Sequence, residues 1–426
     1  MRDSLRARTV QVRDHDRPRA LGLESPRELF ADSVGAPRYH YNFVPDLHLG
    51  YDTNHMSSRY DVAVIGAGVF GAWTAYLLAR SGYRVVLLDQ HGPANARSSS
   101  GGETRIIRMS YGADEIYTRS AIRSLELWKK FDVFQRIGVL LTSSATDPYL
   151  IQTRETLSRV RYPFEWLDRG SLMQRFPQIT FDRGCAGVFE PGSGVLLARR
   201  SVQAVVSAAI QAGVRYEQWK VLPYAGGTLK TSGGDLRAGM FVFACGPWLP
   251  KFFPGILAGR IRPTRQQVFF FGTPPGDGRF SAPQMPAWIA FREGAYSIPA
   301  VDGRGFKLAV DKHGPRFDPE TGNRSITPGM LANVRATLGK RFTVLAGAPL
   351  LESRVCQYEN TSNGDFLIDR HPRFQNVWLV GGGSGHGFKH GPWVGEYVAA
   401  QLAGTGTPES RFSLAVKKTR RRRTVY

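Results

Sequence analysis

Tyr60-Asp61-Val62-Ala63-Val64-Ile65-Gly66-Ala67-Gly68-Val69-Phe70-Gly71 is the stretch that decides the fold. Residues 61–65 form a short apolar run of the kind that fills a strand buried on both faces. After the glycines, Ala72, Ala75, Tyr76 and Ala79 fall at helical spacing, and Ser81-Gly82 ends the helix. Residues 84–88 are a second β-branched, apolar strand, which completes a βαβ unit of about 30 residues. In this pattern Gly66 permits the tight turn, Gly68 lets backbone approach a pyrophosphate, and Gly71 lets helix and sheet pack closely. The helix start supplies free N–H groups and a positive dipole. Asp89, 18 residues after Gly71, ends the second strand, where a carboxylate accepts ribose hydroxyls. The alternative is a glycine-rich turn that binds nothing. Both strands, the helix and the acid in order favour a dinucleotide site, without choosing between NAD and FAD.

Working outward, 426 residues predict two to three domains, and 42% hydrophobic content excludes a disordered chain. Residues 62–79 carry no charge over a length that just spans a bilayer, but three internal glycines fit strand, turn and helix better. Against 35 acids stand 56 cations, a net charge of +21, which raises the question of nucleic acid. The distribution argues against that partner. Residues 1–55 hold eight Arg and eight acids, and six cations crowd into the last ten residues, leaving +15 elsewhere. Residues 411–426 read as a solvated basic tail. Cys185, Cys245 and Cys356 are odd in number and lack CxxC spacing, so neither a disulfide framework nor a metal site is expected. A reducing, cytoplasmic setting fits, since residues 1–55 lack the apolar run of a signal peptide and carry too many acids for a transit peptide. Because pattern begins only near Met56, residues 1–55 are expected to be a disordered extension or a mis-placed start.

Further along, residues 202–212 predict a helix and residues 240–244 an apolar strand closed by Gly246. Residues 266–310 alternate aromatic and polar positions with Gly/Pro punctuation, which predicts an antiparallel sheet. Residues 377–380 form a last buried strand, followed by Gly381-Gly382-Gly383-Ser384-Gly385 and a helix from about 392 to 402.

Four segments then carry a resemblance. Gly101-Gly102-Glu103-Thr104-Arg105-Ile106-Ile107-Arg108, Phe243-Ala244-Cys245-Gly246-Pro247-Trp248, residues 356–372 (CQYENTSNGDFLIDRHP) and Ser384-Gly385-His386-Gly387-Phe388-Lys389 stand in one order. Together they resemble the monomeric sarcosine oxidase and N-methyltryptophan oxidase family, within the D-amino-acid-oxidase-like FAD oxidoreductases. The resemblance spans about residues 58–405. It implies an α/β protein, with a Rossmann-like FAD-binding domain of the D-amino-acid-oxidase type and a substrate domain of antiparallel β-sheet plus helices. The expected division gives residues 56–140, 185–261 and 350–410 to FAD and residues 141–184 and 262–349 to substrate.

The resemblance also assigns roles. Cys356 is expected to carry FAD through a thioether, whereas Cys185 and Cys245 are read as packing residues. FAD is expected against Gly66, Ala67, Gly68, Val69, Phe70, Gly71, Asp89, Gln90, Ser99, Thr104, Arg105, Val221 and Gly246. The stretch Gly385, His386, Gly387, Phe388 and Lys389 is expected at the flavin ring, with a following helix whose dipole favours the anionic reduced form. Lys307, in an apolar strand where lysine is scarce, is expected to activate dioxygen; the alternative is an edge lysine facing water. Arg108 and Lys389 are expected to clamp a substrate carboxylate, and Tyr296 and Tyr358 to line its pocket. The chain departs from the family at Gly101 and Asp311, each standing where sarcosine oxidases carry histidine, and at Ser362-Asn363-Gly364, which replaces more apolar or acidic residues. The implied reaction is FAD-dependent oxidation of an N-methyl or N-alkyl amino acid to an imine by a monomer, with dioxygen giving hydrogen peroxide. An amino-acid dehydrogenase passing electrons to a carrier, and a flavoprotein modifying an aminomethyl base in tRNA, are the alternatives.

Overall fold

A run of residues apolar on both faces, such as 62–65, fits a strand between two neighbours with cover above and below. The strand Tyr60–Ile65 places it so in the computed structural model, which describes residues 60–418. The extension at residues 1–55, Met56 and the arginine run 420–423 lie outside the described residues. Tyr60–Ile65 pairs in parallel with Val85–Leu88 on one side and Ala238–Phe243 on the other. The sheet has six strands, in the order Leu367–Arg370, Val377–Gly381, Ala238–Phe243, Tyr60–Ile65, Val85–Leu88 and Arg215–Glu217. All pairs are parallel except Leu367–Arg370 with Val377–Gly381.

The turn into the helix Val69–Arg80 closes as the fingerprint requires. Gly66 has φ +108°, and a Cβ there would lie 2.4 Å from the Ala244 carbonyl oxygen. A Cβ on Gly71 would lie 1.8 Å from the Gly66 carbonyl oxygen, so both positions exclude any larger residue. The helix packs against Ala198–Gln211 and Gly391–Leu402, with Trp73 and Trp128 crossing edge to face at 5.0 Å.

The second sheet runs Leu350–Thr361, Ile261–Phe271, Phe306–Val310, Ala295–Ile298, Ala287–Ala290, Val139–Ser144, Cys185–Glu190 and Glu165–Leu167. It is antiparallel except where Ala287–Ala290 meets Val139–Ser144. Alternation along these strands gives the sheet two working faces. Phe269, Phe271, Trp288, Phe306 and Leu308 bury against the helix Pro328–Arg341 through Val334 and Leu338. Their neighbours Val268, Phe270, Ile289, Tyr296, Ile298 and Lys307 turn the other way and line a cavity. Cys185–Glu190 and Leu350–Thr361, which the expected division gave to the FAD domain, hydrogen-bond within this sheet. Their partners are far away in sequence, so local pattern does not reveal the membership.

The tail reading needs correction at one residue. Two short turns, Ser410–Phe412 and Ala415–Lys418, fold back onto the body, and Phe412 enters the core. Lys417 is fully buried, its Nζ donating to Asn363 Oδ1 (3.0 Å) and to the carbonyl oxygens of Arg411 (2.6 Å) and Asp365 (3.3 Å). Three acceptors compensate the desolvated ammonium, which sequence alone could not place. Among the described residues, no helix is long and apolar enough to cross a membrane.

Candidate active site

Two cavities meet inside the molecule, sharing Ser98, Arg105, Tyr358, Gly385 and Phe388 as common wall. The first follows the glycine turn. Gly66, Gly68, Val69, Phe70, Asp89, Gln90, Ser99, Val221 and Gly246 line it, with Gly385, Gly387 and Phe388 at its far end. Ala67 and Gly71 stand behind this wall: the Ala67 N–H donates to Asp89 Oδ2 (2.9 Å), and Gly71 supports the turn. Asp89 Oδ1 accepts the His91 N–H at 2.8 Å, and burial raises its carboxyl above the ordinary value. The helix Val69–Arg80 begins here with no side chain of its own as cap; Ser100 Oγ accepts the Val69 N–H at 3.0 Å. Cys245, read as packing only, also reaches the cleft wall.

These residues fit an adenine dinucleotide. A Cβ on Gly68 would meet only Ser100 Oγ at 3.3 Å, so backbone is open to the cleft there. Ser99 Oγ and His91 Nε2 are buried without a hydrogen-bond partner and line the same space, as groups awaiting a polar ligand do.

The second cavity holds about 380 Å³ between the eight-stranded sheet, the strand Thr104–Ile107 and the turn Gly387–His390. Thr104, Arg105, Arg108, Tyr296, Lys307, Cys356, Tyr358, His386 and Lys389 all face it. His386 and Lys389, expected at the flavin, therefore stand on this side of the shared wall. Lys307 is only 3% exposed, which removes the alternative of an edge lysine in water; its Nζ donates to the Thr104 carbonyl oxygen at 3.0 Å. Burial, reinforced by the Arg105 charge, pulls its ammonium down to about 7.

Arg105 is pinned by backbone: its guanidinium donates to the carbonyl oxygens of Thr104 (2.9 Å), Ser99 (2.9 Å) and Gly101 (2.7 Å), and one nitrogen lies 3.9 Å from Cys356 Sγ. Arg108 and Lys389 converge on Tyr111. The Arg108 guanidinium lies 4.6 Å from that ring's centre, and Lys389 Nζ donates to Tyr111 Oη at 2.9 Å and to the His386 carbonyl oxygen at 3.0 Å. Burial, then the Arg108 charge, holds the Lys389 ammonium well below its usual value. Arg108 lines the cavity, and its Nη1 is buried with no hydrogen-bond partner, a cationic donor left uncompensated. Tyr296 and Tyr358 are raised by burial and then by Asp311, whose Oδ1 accepts the Tyr358 hydroxyl.

Sequence reasoning missed three residues here. Tyr111 links Lys389 to His390 Nε2 (2.7 Å) and carries no motif. His390 itself is fully buried, its Nδ1 meeting Ser120 Oγ at 2.8 Å. Glu359 lines the nucleotide cleft with Oε1 unpartnered, and burial raises its carboxyl to about 8. Its signal was present: an acid inside a strand, immediately after Tyr358.

The sequence model of the FAD dependent oxidoreductase family matches residues 61–401, which include both cavities. The chain belongs to this family. It is 32% identical to a monomeric sarcosine oxidase of Bacillus sp. (strain B-0618) over 378 residues, covering 84% of this chain and 96% of that protein. An N-methyl-L-tryptophan oxidase of Citrobacter koseri is 29% identical over 369 residues, covering 82% and 96%. A peroxisomal sarcosine oxidase of Homo sapiens is 30% identical over 357 residues, covering 80% and 91%. Among solved structures, an L-proline dehydrogenase from P. horikoshii superposes with TM-score 0.74 at 22% identity, covering 84% of this chain and 98% of that one. NikD, an amino acid oxidase of nikkomycin biosynthesis, gives TM-score 0.70 at 21% identity over the same shares. These two establish shared architecture. The protein is thus an FAD-dependent oxidoreductase of the sarcosine oxidase-like family, with the α/β fold that its sequence implied.

Proposed function

We propose that this protein oxidises the amine of an N-methyl or other N-alkyl amino acid to an imine, with dioxygen as electron acceptor and hydrogen peroxide as product. The observation that carries the reading is the unpartnered, buried Nη1 of Arg108 beside Lys389, in a cavity that adjoins the nucleotide cleft. A guanidinium and an ammonium, both desolvated, form a site for a substrate carboxylate. FAD, when bound, supplies the two-electron acceptor for the hydrogen that leaves the carbon beside nitrogen. Arg108 and Lys389 orient the substrate, Tyr296 closes the cavity beside it, and Lys307 places positive charge where dioxygen takes up electrons. Cys356, facing the cavity 3.9 Å from Arg105, is the proposed thioether anchor for the flavin. The names of the relatives, sarcosine oxidase and N-methyl-L-tryptophan oxidase, support the substrate class. Three free thiols fit a reducing, cytoplasmic setting, and the proposed state is a monomer.

The test is the visible spectrum of purified protein before and after acid precipitation, followed by peroxide release on N-methyl amino acids. Yellow colour retained in the pellet, with peroxide formed, is the expected result. Colour released to the supernatant would remove the thioether. Flavin reduction without peroxide would replace the oxidase reading by a dehydrogenase.

A further inference from the structure

We propose that Asp311 takes the ammonium proton of the bound substrate, so that an amino acid enters as its zwitterion and becomes a neutral amine only inside the cavity. This rests on the function proposed above. Four basic side chains, the Arg105 and Arg108 guanidiniums with Lys307 and Lys389, face the second cavity, and a substrate ammonium would be repelled there without a nearby anion. Two carboxylates line it. Glu103 is held by Arg354 at 2.9 Å, Arg199 at 3.6 Å and Arg304 at 3.7 Å. Asp311 is in no ion pair among the described residues and is 8% exposed. It lies four residues beyond Lys307, just past the end of the strand Phe306–Val310, lines the same cavity, and its Oδ1 accepts the Tyr358 hydroxyl.

Tyr358 faces it from Leu350–Thr361, Tyr296 from Ala295–Ile298, Gln266 from Ile261–Phe271, Lys307 from Phe306–Val310 and Lys389 from Gly387–His390. Lys307 and Lys389 donate to carbonyl and hydroxyl oxygens, and the His386 ring meets the Gly364 carbonyl oxygen and the Tyr111 hydroxyl, so none of the three offers a substrate ammonium a negative charge. With the substrate carboxylate at Arg108 and Lys389, the cavity carboxylate left outside an ion pair to take the proton is Asp311. Burial supports the role, raising its carboxyl to about 7.

The step balances. An N–H bond of the ammonium breaks and an O–H bond forms on Asp311, leaving the nitrogen lone pair free. The C–H hydrogen then leaves with its electron pair to FAD, giving the iminium of the substrate, which water cleaves to carbonyl and ammonium. The hydrogen carried off with two electrons and the proton held on Asp311 together convert dioxygen to hydrogen peroxide. No further reagent is needed.

The test is the rate of anaerobic flavin bleaching by N-methylglycine across pH, for the wild-type holoenzyme, Asp311→Asn and Tyr358→Phe. At limiting substrate the wild-type rate is expected to rise through about 7 and to fall again above the amine's own ionisation, near about 10. Asp311→Asn keeps an acceptor for the Tyr358 hydroxyl. Its rate is expected to be about 10²-fold lower near neutrality, climbing without a fall up to the ionisation of the amine. Tyr358→Phe keeps the carboxylate but loses the hydrogen bond that favours its anion, and its lower limb is expected at higher pH. If both variants lower the rate at every pH with the wild-type profile intact, the residue is structural and the inference is overturned. If N-alkyl amino acids do not bleach the wild-type flavin at all, the proposed function falls and takes this inference with it.

Discussion

The two cavities share a wall and are built on opposite principles. The nucleotide cleft is made chiefly of backbone: glycines that clear a path, a helix start and strand ends, with Asp89 and a few small side chains as fittings. The second cavity is made of side chains delivered by the strands Thr104–Ile107, Ala295–Ile298, Phe306–Val310 and Leu350–Thr361 and the turn Gly387–His390. In the first, chemistry is set by where atoms are absent. In the second it is set by charges kept out of water, where Lys307 and Asp311 both move toward about 7. A change in the cleft should therefore act through shape, and one in the cavity through charge.

Two alanines test the first half of that contrast with the largest effects. Gly71→Ala places a methyl group 1.8 Å from the Gly66 carbonyl oxygen, so backbone must move. A loss of about 3 kcal/mol is expected, with no flavin retained, read from thermal melts and visible absorbance. Gly68→Ala meets only Ser100 Oγ, so its melting temperature should hold while flavin content falls. Equal destabilisation by both would mean that Gly68 serves the turn and not the ligand.

Lys307→Met tests the second half. Removing a buried charge without changing the shape should slow reoxidation of the reduced protein by dioxygen about 10²- to 10³-fold, while anaerobic reduction by substrate changes little. The wild-type reoxidation rate should fall as pH rises through about 7, because the ammonium is present below that value and lost above it. Stopped-flow mixing separates the two half-reactions, and an unchanged reoxidation rate in the variant would move the dioxygen site elsewhere. Arg108→Met should come next, raising the substrate KM about 10-fold to 10²-fold with a smaller change in kcat, as for loss of a charged hydrogen bond.

The same contrast explains what could be read in the sequence. The cleft was legible because its requirements are local: Gly66, Gly68 and Gly71 lie within six residues, and Asp89 follows at the end of the next strand. The alternation of residues 266–310 likewise gave the strands, since period two is a property of each strand alone. Which strands join was not legible. Cys185–Glu190 entered the eight-stranded sheet through Val139–Ser144, a pairing that no local pattern encodes. The second cavity was legible only through the resemblance of four separated segments. Where the chain departs from that pattern, at Asp311, the reading stopped, because the meaning of a buried acid depends on which charges surround it. Lys417 failed for the same reason: a lysine beside an arginine run looks solvated until Asn363 and Asp365 are seen next to it.

A charge network whose residues line neither cavity supplies the smallest effect and the control. The Arg341 side chain is 6% exposed at the end of Pro328–Arg341, where it hydrogen-bonds Glu293, Asp182 and the Thr180 carbonyl oxygen. Its carboxylate partners are 30% and 59% exposed, so water screens what would otherwise be a buried triad. Arg341→Met should cost about 2 kcal/mol near neutrality, below the full value for a buried pair. The Arg341 hydrogen bond lowers the Asp182 carboxyl; at Glu293 burial pushes upward, but the hydrogen bonds and charges of Arg341 and Lys340 together hold the carboxyl below its ordinary value. Carboxyls depressed in the folded state stabilise it above their unfolded values, near about 4, and lose that stabilisation as pH falls through the folded ones. The gap between wild type and variant should accordingly be widest near neutrality and narrow in acid, with flavin content and both half-reactions unaltered. A variant that also lost flavin or slowed reoxidation would mean that the outer face of the eight-stranded sheet shapes the cavity on its inner face, and the division between shape and charge would no longer hold.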